Sequence, residues 1–198
     1  MADAATTVTH VSGGGHMTER PQLLAVGVII WLGSEFMFFS GLFAAFFTIR
    51  AAAPHWPPAG VKLDTIQAAV FTVVLLVSSP TMQFGVWAQE RGEYAKARAW
   101  IITSLVLGAA FVANQGYEWK TLPGRPPTNA YWSLFYIMSG LHGLHVLLGL
   151  VAMVALLGRL AGKKGDPGET AVFQAVSYYW HFVDIIWIGI FSALFILS

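Results

Sequence analysis

No cysteine occurs anywhere in the 198 residues, which excludes a disulfide framework, thiolate metal sites and iron–sulfur clusters. Charge is the second scarcity. Asp, Glu, Lys and Arg make up 11% of the chain, where an ordinary soluble domain is nearer about a quarter. The formal net charge is +1, and no basic run is long enough to track phosphates, so nucleic acid is not an expected partner. No Walker or dinucleotide motif opens a helix after a strand, and no serine- or zinc-protease signature is present. No nucleophile stands beside an evident activating base. No internal repeat is visible, which gives an inverted-repeat transporter little support.

What is abundant is apolar. The chain is 56% hydrophobic with a mean hydropathy of +0.62, and its charges sit in short blocks between long apolar runs. That pattern defines an all-α membrane protein, a five-transmembrane-helix bundle. The expected spans are residues 23–49, 65–88, 99–117, 130–157 and 170–197 of a single transmembrane domain, 23–198. The first is longer than the roughly 20 residues needed to cross a bilayer, so it is expected to tilt. Pro80 falls inside the second and is expected to kink it, with Ser78 or Ser79 satisfying freed backbone groups. Residues 1–22 are polar, contain Gly13, Gly14 and Gly15, and lack an apolar core with a cleavage site. They read as a disordered cytoplasmic tail rather than a signal peptide, and His10 and His16 within them as incidental.

Five spans place the termini on opposite sides. With the N-terminus inside, Arg20, Arg91, Lys96, Arg98, Arg159, Lys163 and Lys164 are inner, against Arg50, Lys62, Lys120 and Arg125 outside. The bias puts the N-terminus in the cytoplasm and the C-terminus outside.

Polar groups inside apolar spans are costly and mark function by default. The fourth span carries His142 and His145, with Ser139, Gly140, Gly143 and Gly149 around them. Glu35 lies near the middle of the first span, where it must be protonated, paired or facing a polar cavity. Gln174, Tyr178, His181 and Asp184 follow one another along one side of the fifth. Asn114 and Glu118 share a face at the end of the third. Glu35, His142 and Asp184 all fall within about a turn of their span centres, so they are expected to meet at one level and satisfy one another. A structural polar knot is preferred to a proton-handling role. Haem ligation is the sharper alternative. His142 and His145 lie about 60° apart around one helix and cannot clasp the same iron. Either of them with His181 can, if helices four and five face each other. Ser139 and Gly143, spaced as small-xxx-small, suit close helix packing instead.

Several blocks resemble a known family. These are Trp31 to Phe39 with Phe43, Phe46, Phe47 and Arg50, then Trp56-Pro57-Pro58, and Gln115-Gly116-Tyr117-Glu118. Phe135-Tyr136 followed by Ser139 to Val146 comes next, and Tyr179 to Trp187 last. In this order they resemble the short subunit III chains of haem–copper oxidases, most of all the five-helix cytochrome c oxidase type of actinobacteria. The resemblance implies a non-redox subunit of a proton-pumping terminal oxidase, with no haem or copper bound by this chain and both held in partner subunits. It implies packing on subunit I, with subunit II and small subunits in the complex, structural phospholipids, and a role in sustained proton uptake. A respiratory supercomplex with a cytochrome bc-type complex and a place in the bacterial cell membrane are also implied. The family's membrane glutamate matches Glu35, its histidines match His142, His145 and His181, and its helix-five acid matches Asp184.

Leu141 stands where many relatives have phenylalanine, and Trp132 where glycine is common. Longer relatives have two further helices ahead of the first span, which form one wall of a lipid cleft and have no counterpart here. Quinol oxidases have similar third subunits; Trp56-Pro57-Pro58 and Gln115 to Glu118 incline toward the cytochrome c type. A b-type haem anchor using His181, or a small transporter using Glu35 and Asp184, are the competing classes.

Overall fold

The computed structural model describes residues 23–58, 61, 63–122, 129–162 and 167–197. The tail with His10 and His16, part of the third loop and residues 163–166 lie outside the described residues. Within them the chain is five long helices: α1 (Leu23–Ala52), α2 (Thr65–Glu90), α3 (Tyr94–Thr121), α4 (Ala130–Gly162) and α5 (Pro167–Phe191), the last continuing into a π-helical turn, Ser192–Ile196. All five are long and apolar enough to cross a membrane, so the chain is a multi-pass α-helical membrane protein.

The helices are not equivalent. In α5, 56% of the apolar window is buried against the rest of the chain, and in α1 only 6%. α5 packs on α1, α2 and α4, and α3 lies against α2 and α4. One face of α1 meets the bundle through Leu32, Phe39, Leu42, Phe43 and Phe46. The opposite face, with Ile30 and Met37, is exposed. A helix apolar all round has no water-facing side to mark, so only packing tells its faces apart.

α2 and α3 form a tight hairpin. Asp64 caps the start of α2 by accepting from the Gln67 N–H at 3.0 Å. At its end Gly92 adopts φ +74°, and the Gly92 and Glu93 N–H groups close back onto the Gln89 and Ala88 carbonyls at 2.9 Å. The left-handed conformation that this closure needs is one glycine adopts without strain. Glu93 in the turn is half-buried and lies 3.0 Å from Lys96. The Lys96 ammonium, with Arg91 beyond it, holds the Glu93 carboxyl below its ordinary pKa.

α2 continues as helix through Pro80. The nearby hydroxyls do not serve the carbonyl that proline leaves free. Ser78 Oγ donates to the Leu75 carbonyl at 2.6 Å and accepts from the Trp180 indole at 2.9 Å. Ser79 turns to His181. Ser78 thus serves a local carbonyl and a tertiary donor at once, while Ser79 turns to a tertiary partner. Thr81 and Ser104 pair their hydroxyls at 2.7 Å between α2 and α3.

Trp180, fully buried, touches three other helices. Its indole N–H reaches Ser78 of α2, and its ring lies in a notch between Gly108 of α3 and Gly149 of α4. A methyl group at either glycine would stand 2.7 Å from ring carbons.

Candidate functional site: a divided polar centre

The polar residues of the spans form separate clusters. Glu35, His142 and Asp184 do not meet, which corrects the expectation drawn from their matching depths. Glu35 Oε2 instead lies 3.1 Å from His145 Nε2 of α4, while the Trp31 indole donates to Oε1 at 3.1 Å from one turn back on α1. Residue number sets a side chain's depth, but helix packing sets which neighbour it faces. The 60° or so between His142 and His145 around α4 is enough to send one toward α1 and the other toward α3 and α5.

His145 is held on every side. Its Nδ1 is 2.7 Å from the Leu141 carbonyl, and the Phe39 ring meets it edge-on at 5.1 Å. Tyr179 donates to the His145 carbonyl at 2.8 Å and stacks on Trp31 at 5.2 Å. A carbonyl only accepts, so Nδ1 carries a proton. One further proton therefore lies between Nε2 and Glu35, on whichever group carries it. The pair is a one-proton site.

His142 is fully buried with no hydrogen bond at either ring nitrogen. It stacks on Trp187 at 4.8 Å and meets Phe111 edge-on at 5.9 Å. Asp184 is 2% exposed and neither oxygen makes a hydrogen bond.

His181 sits on the α2–α5 seam with both ring nitrogens engaged. Nδ1 meets the Ser79 hydroxyl. Nε2 is 3.1 Å from Ser177 Oγ and 3.3 Å from Gln83 Oε1. Using it as a haem ligand would require breaking these contacts. Along the same seam Gln174 donates to Glu90 at 2.9 Å and the Trp187 indole to Thr72 at 2.9 Å. Tyr178, read as part of this stripe, is 44% exposed and points away.

The four small residues singled out on α4, Ser139, Gly140, Gly143 and Gly149, each face a neighbour. A methyl at Gly143 would meet Gln115 Oε1 at 2.7 Å, one at Gly140 the Trp119 ring at 3.1 Å, and one at Gly149 the Trp180 ring. Ser139 turns its hydroxyl back to the Phe135 carbonyl at 2.6 Å, and its own carbonyl accepts from the Gln115 amide at 2.6 Å. Asn114 accepts from Gln67 of α2 at 2.6 Å. Gln115 and Trp180 stand in the blocks that carry the family resemblance, but their packing roles and Gly108 escaped the sequence reading. A polar residue followed by glycine in an apolar span was the available signal for Gln115; nothing local marks the Gly108–Trp180–Gly149 contact. Among the described residues no group of three or more His, Asp or Glu is arranged to hold a metal ion.

A multi-pass helical bundle that uses its intramembrane polar groups mainly between its own helices is the class this geometry defines. The family described as Cytochrome c oxidase subunit III matches residues 4–198. Similar curated chains include a probable cytochrome c oxidase subunit 3 of Nocardia farcinica, 47% identical over 91% of each chain. One of Mycobacterium tuberculosis is 43% identical over 96% of each, and the cytochrome c oxidase subunit 3 of Corynebacterium diphtheriae is 41% identical over 90% of each. The chain belongs to the cytochrome c oxidase subunit III family. It is a subunit III of a terminal oxidase, part of an oxidoreductase complex with other oxidase subunits.

Proposed function

We propose that this chain is the non-redox subunit III of a proton-pumping oxidase that takes electrons from cytochrome c; the relatives' name, cytochrome c oxidase subunit 3, supports the electron donor. It lies in the bacterial plasma membrane with its N-terminus cytoplasmic. It packs on subunit I, within a complex that includes subunit II and smaller subunits and joins a cytochrome bc-type supercomplex. Haem and copper belong to the partners. Its three histidines within the spans, His145, His181 and His142, are committed to Glu35, to the α2–α5 seam and to an aromatic box. Glu35, His142, His145, His181 and Asp184 form its polar centre; Ser139, Gly140, Gly143 and Gly149 form its packing surface.

The observation that carries the supporting role is an apolar cavity of about 450 Å³ between α1, α4 and α5, with Leu24, Val28, Trp31, Leu148, Val172 and Tyr179 in its walls. Its chemistry suits a phospholipid acyl chain. Trp31 and Tyr179 line it and also hold Glu35 and His145. A lipid wedged there steadies the loosely packed α1, keeps the one-proton pair together, and so sustains proton uptake through long turnover.

Ala152 and Ala175 also line the cavity, so Ala152→Phe fills it. The expected result is an oxidase with normal haem content and initial rate that loses one tightly held phospholipid by mass spectrometry and inactivates sooner during turnover. Unchanged lipid content with an unchanged active lifetime refutes the lipid role. Pull-down of tagged chain from membranes, followed by a haem spectrum, tests the assembly itself.

A further inference from the structure

A second cavity, of about 280 Å³, lies between α3 and α4. Val112, Gly116 and Trp119 line it from α3, and Gly140, Leu144 and Leu147 from α4. On both helices these positions, with Gln115 and Gly143 among them, are spaced three or four apart. Each helix therefore gives one face to a groove that runs along the bundle. Seven residues on each side make it about 10 Å long, or two helical turns. Leu144 and Leu147 at its rim are exposed, so it opens outward. A methyl at Gly116 would meet nothing within 4 Å; the space left by that missing side chain serves no contact inside this chain.

One polar side chain in this groove has an unmet need. Gln115 is 6% exposed and lines the cavity, inside the membrane-spanning length of α3. Its amide nitrogen donates to the Ser139 carbonyl at 2.6 Å. A carbonyl only accepts, so the nitrogen and not the oxygen faces Ser139. Oε1 lies over Gly143, where a methyl would stand 2.7 Å from it. No donor among the described residues reaches Oε1. Hydrocarbon holds no water, so an acceptor at this depth must be met by another molecule. The cavity between α1, α4 and α5 differs on this point. Its two polar rings are already paired, Trp31 with Glu35 and Tyr179 with the His145 carbonyl, so an acyl chain leaves nothing unmet there. In the α3–α4 groove an acyl chain brings no donor.

We propose that the α3–α4 groove is the seat of a transmembrane helix from another oxidase subunit, one that donates a hydrogen bond to Gln115 Oε1 from a hydroxyl, amide or indole side chain. Apolar burial gives helices no advantage over lipid inside a bilayer. They associate there through close backbone approach over small residues and through hydrogen bonds between helices. Gly116, Gly140 and Gly143 supply the first, and Gln115 the second. Gln115 stands six residues before the end of α3 at Thr121, about 9 Å along the axis, which sets the depth of the donor on the incoming helix. The proposal rests on the chain's place in an oxidase complex and not on the lipid role.

The test is photo-crosslinking in the purified, assembled oxidase, with Leu147→p-benzoylphenylalanine as the probe and the adducts mapped by mass spectrometry. The expected product joins this chain to a membrane-spanning peptide of another oxidase subunit that carries such a donor. Gly116→Leu fills the groove without touching this chain's own packing, and it is expected to lower the yield of that product about tenfold. Gly158→Leu, equally open on α4 but outside the groove, is expected to leave the yield unchanged. Adducts confined to lipid, to a small lipid-soluble compound or to a second copy of this chain overturn the proposal, as does a yield that Gly116→Leu does not lower. A haem spectrum of the same preparation separates the two readings. Haem present without the adduct sinks the groove alone, and absence of haem sinks the assembly on which it rests.

Discussion

Gly149→Ala tests whether the fold is built around Trp180. The added methyl would stand 2.7 Å from two carbons of the indole, where apolar carbons settle at about 3.5–4.0 Å. The overlap is therefore roughly 1 Å. The ring cannot slide away, because its far edge already lies against Gly108, where a methyl would also stand 2.7 Å off. Either α4 and α5 separate or the indole leaves Ser78. Over-packing of this kind costs about 1–3 kcal/mol, against which alanine's better helix propensity returns up to about 1 kcal/mol. The matched control is Gly158→Ala on the same helix, where nothing lies within 4 Å. Thermal release of the subunit from the purified oxidase, followed by native mass spectrometry, should show Gly149→Ala leaving at lower temperature than both wild type and Gly158→Ala. Trp180→Leu should mask the defect, since the clash is with the ring, and the double-mutant coupling should be clearly non-zero. Equal stability of Gly149→Ala and Gly158→Ala would refute the wedge.

Glu35→Gln should assemble nearly normally, because one amide can donate to His145 Nε2 and accept from Trp31. Glu35→Leu strands both partners and should cost about 1–3 kcal/mol for each group left unpaired, read as loss of the subunit on purification. Thr81→Val should destabilise the α2–α3 hairpin by about 1 kcal/mol or more. Adding Ser104→Ala should cost less than the sum of the two single changes, since both ends of the 2.7 Å contact are then apolar. Gly92→Ala, at φ +74°, should cost about 1–2 kcal/mol, visible as faster proteolysis at the α2–α3 turn. Acidification should weaken this same turn. Glu93 titrates below its ordinary value when folded, so its contribution is full above the unfolded pKa and fades as pH falls through the folded one. Glu93→Gln should remove that pH dependence of cleavage.

Much of this was legible from residue order because a bilayer leaves few choices. Without water to satisfy the backbone, a long apolar run must be a helix. Residues 23–49 could therefore be read as a spanning helix, although the contacts of α1 within the chain are few. The polar centre was legible as a set of depths. Glu35, His142 and Asp184 stand out because polar groups are rare in such runs, and chain position gives their level. Which of them touch was not legible. His142 and His145 are equally buried in the pattern, yet one holds Glu35 and the other lies on Trp187.

The difference between what the sequence by itself determined and what only the tertiary structure decided follows from one geometric fact. Rise along a helix is local, at about 1.5 Å per residue, so the spans, their alternation and the depth of each polar group follow from the chain alone. Rotation about the axis has meaning only relative to neighbours. α1 and α4 carry almost no amphipathic signal to reveal it, being apolar on nearly every side. The pairing of Glu35 with His145, the notch that receives Trp180 between Gly108 and Gly149, and the polar file along α2 and α5 were settled by packing. In each case a ring or side chain from one helix found the gap, hydroxyl or carbonyl that another presented.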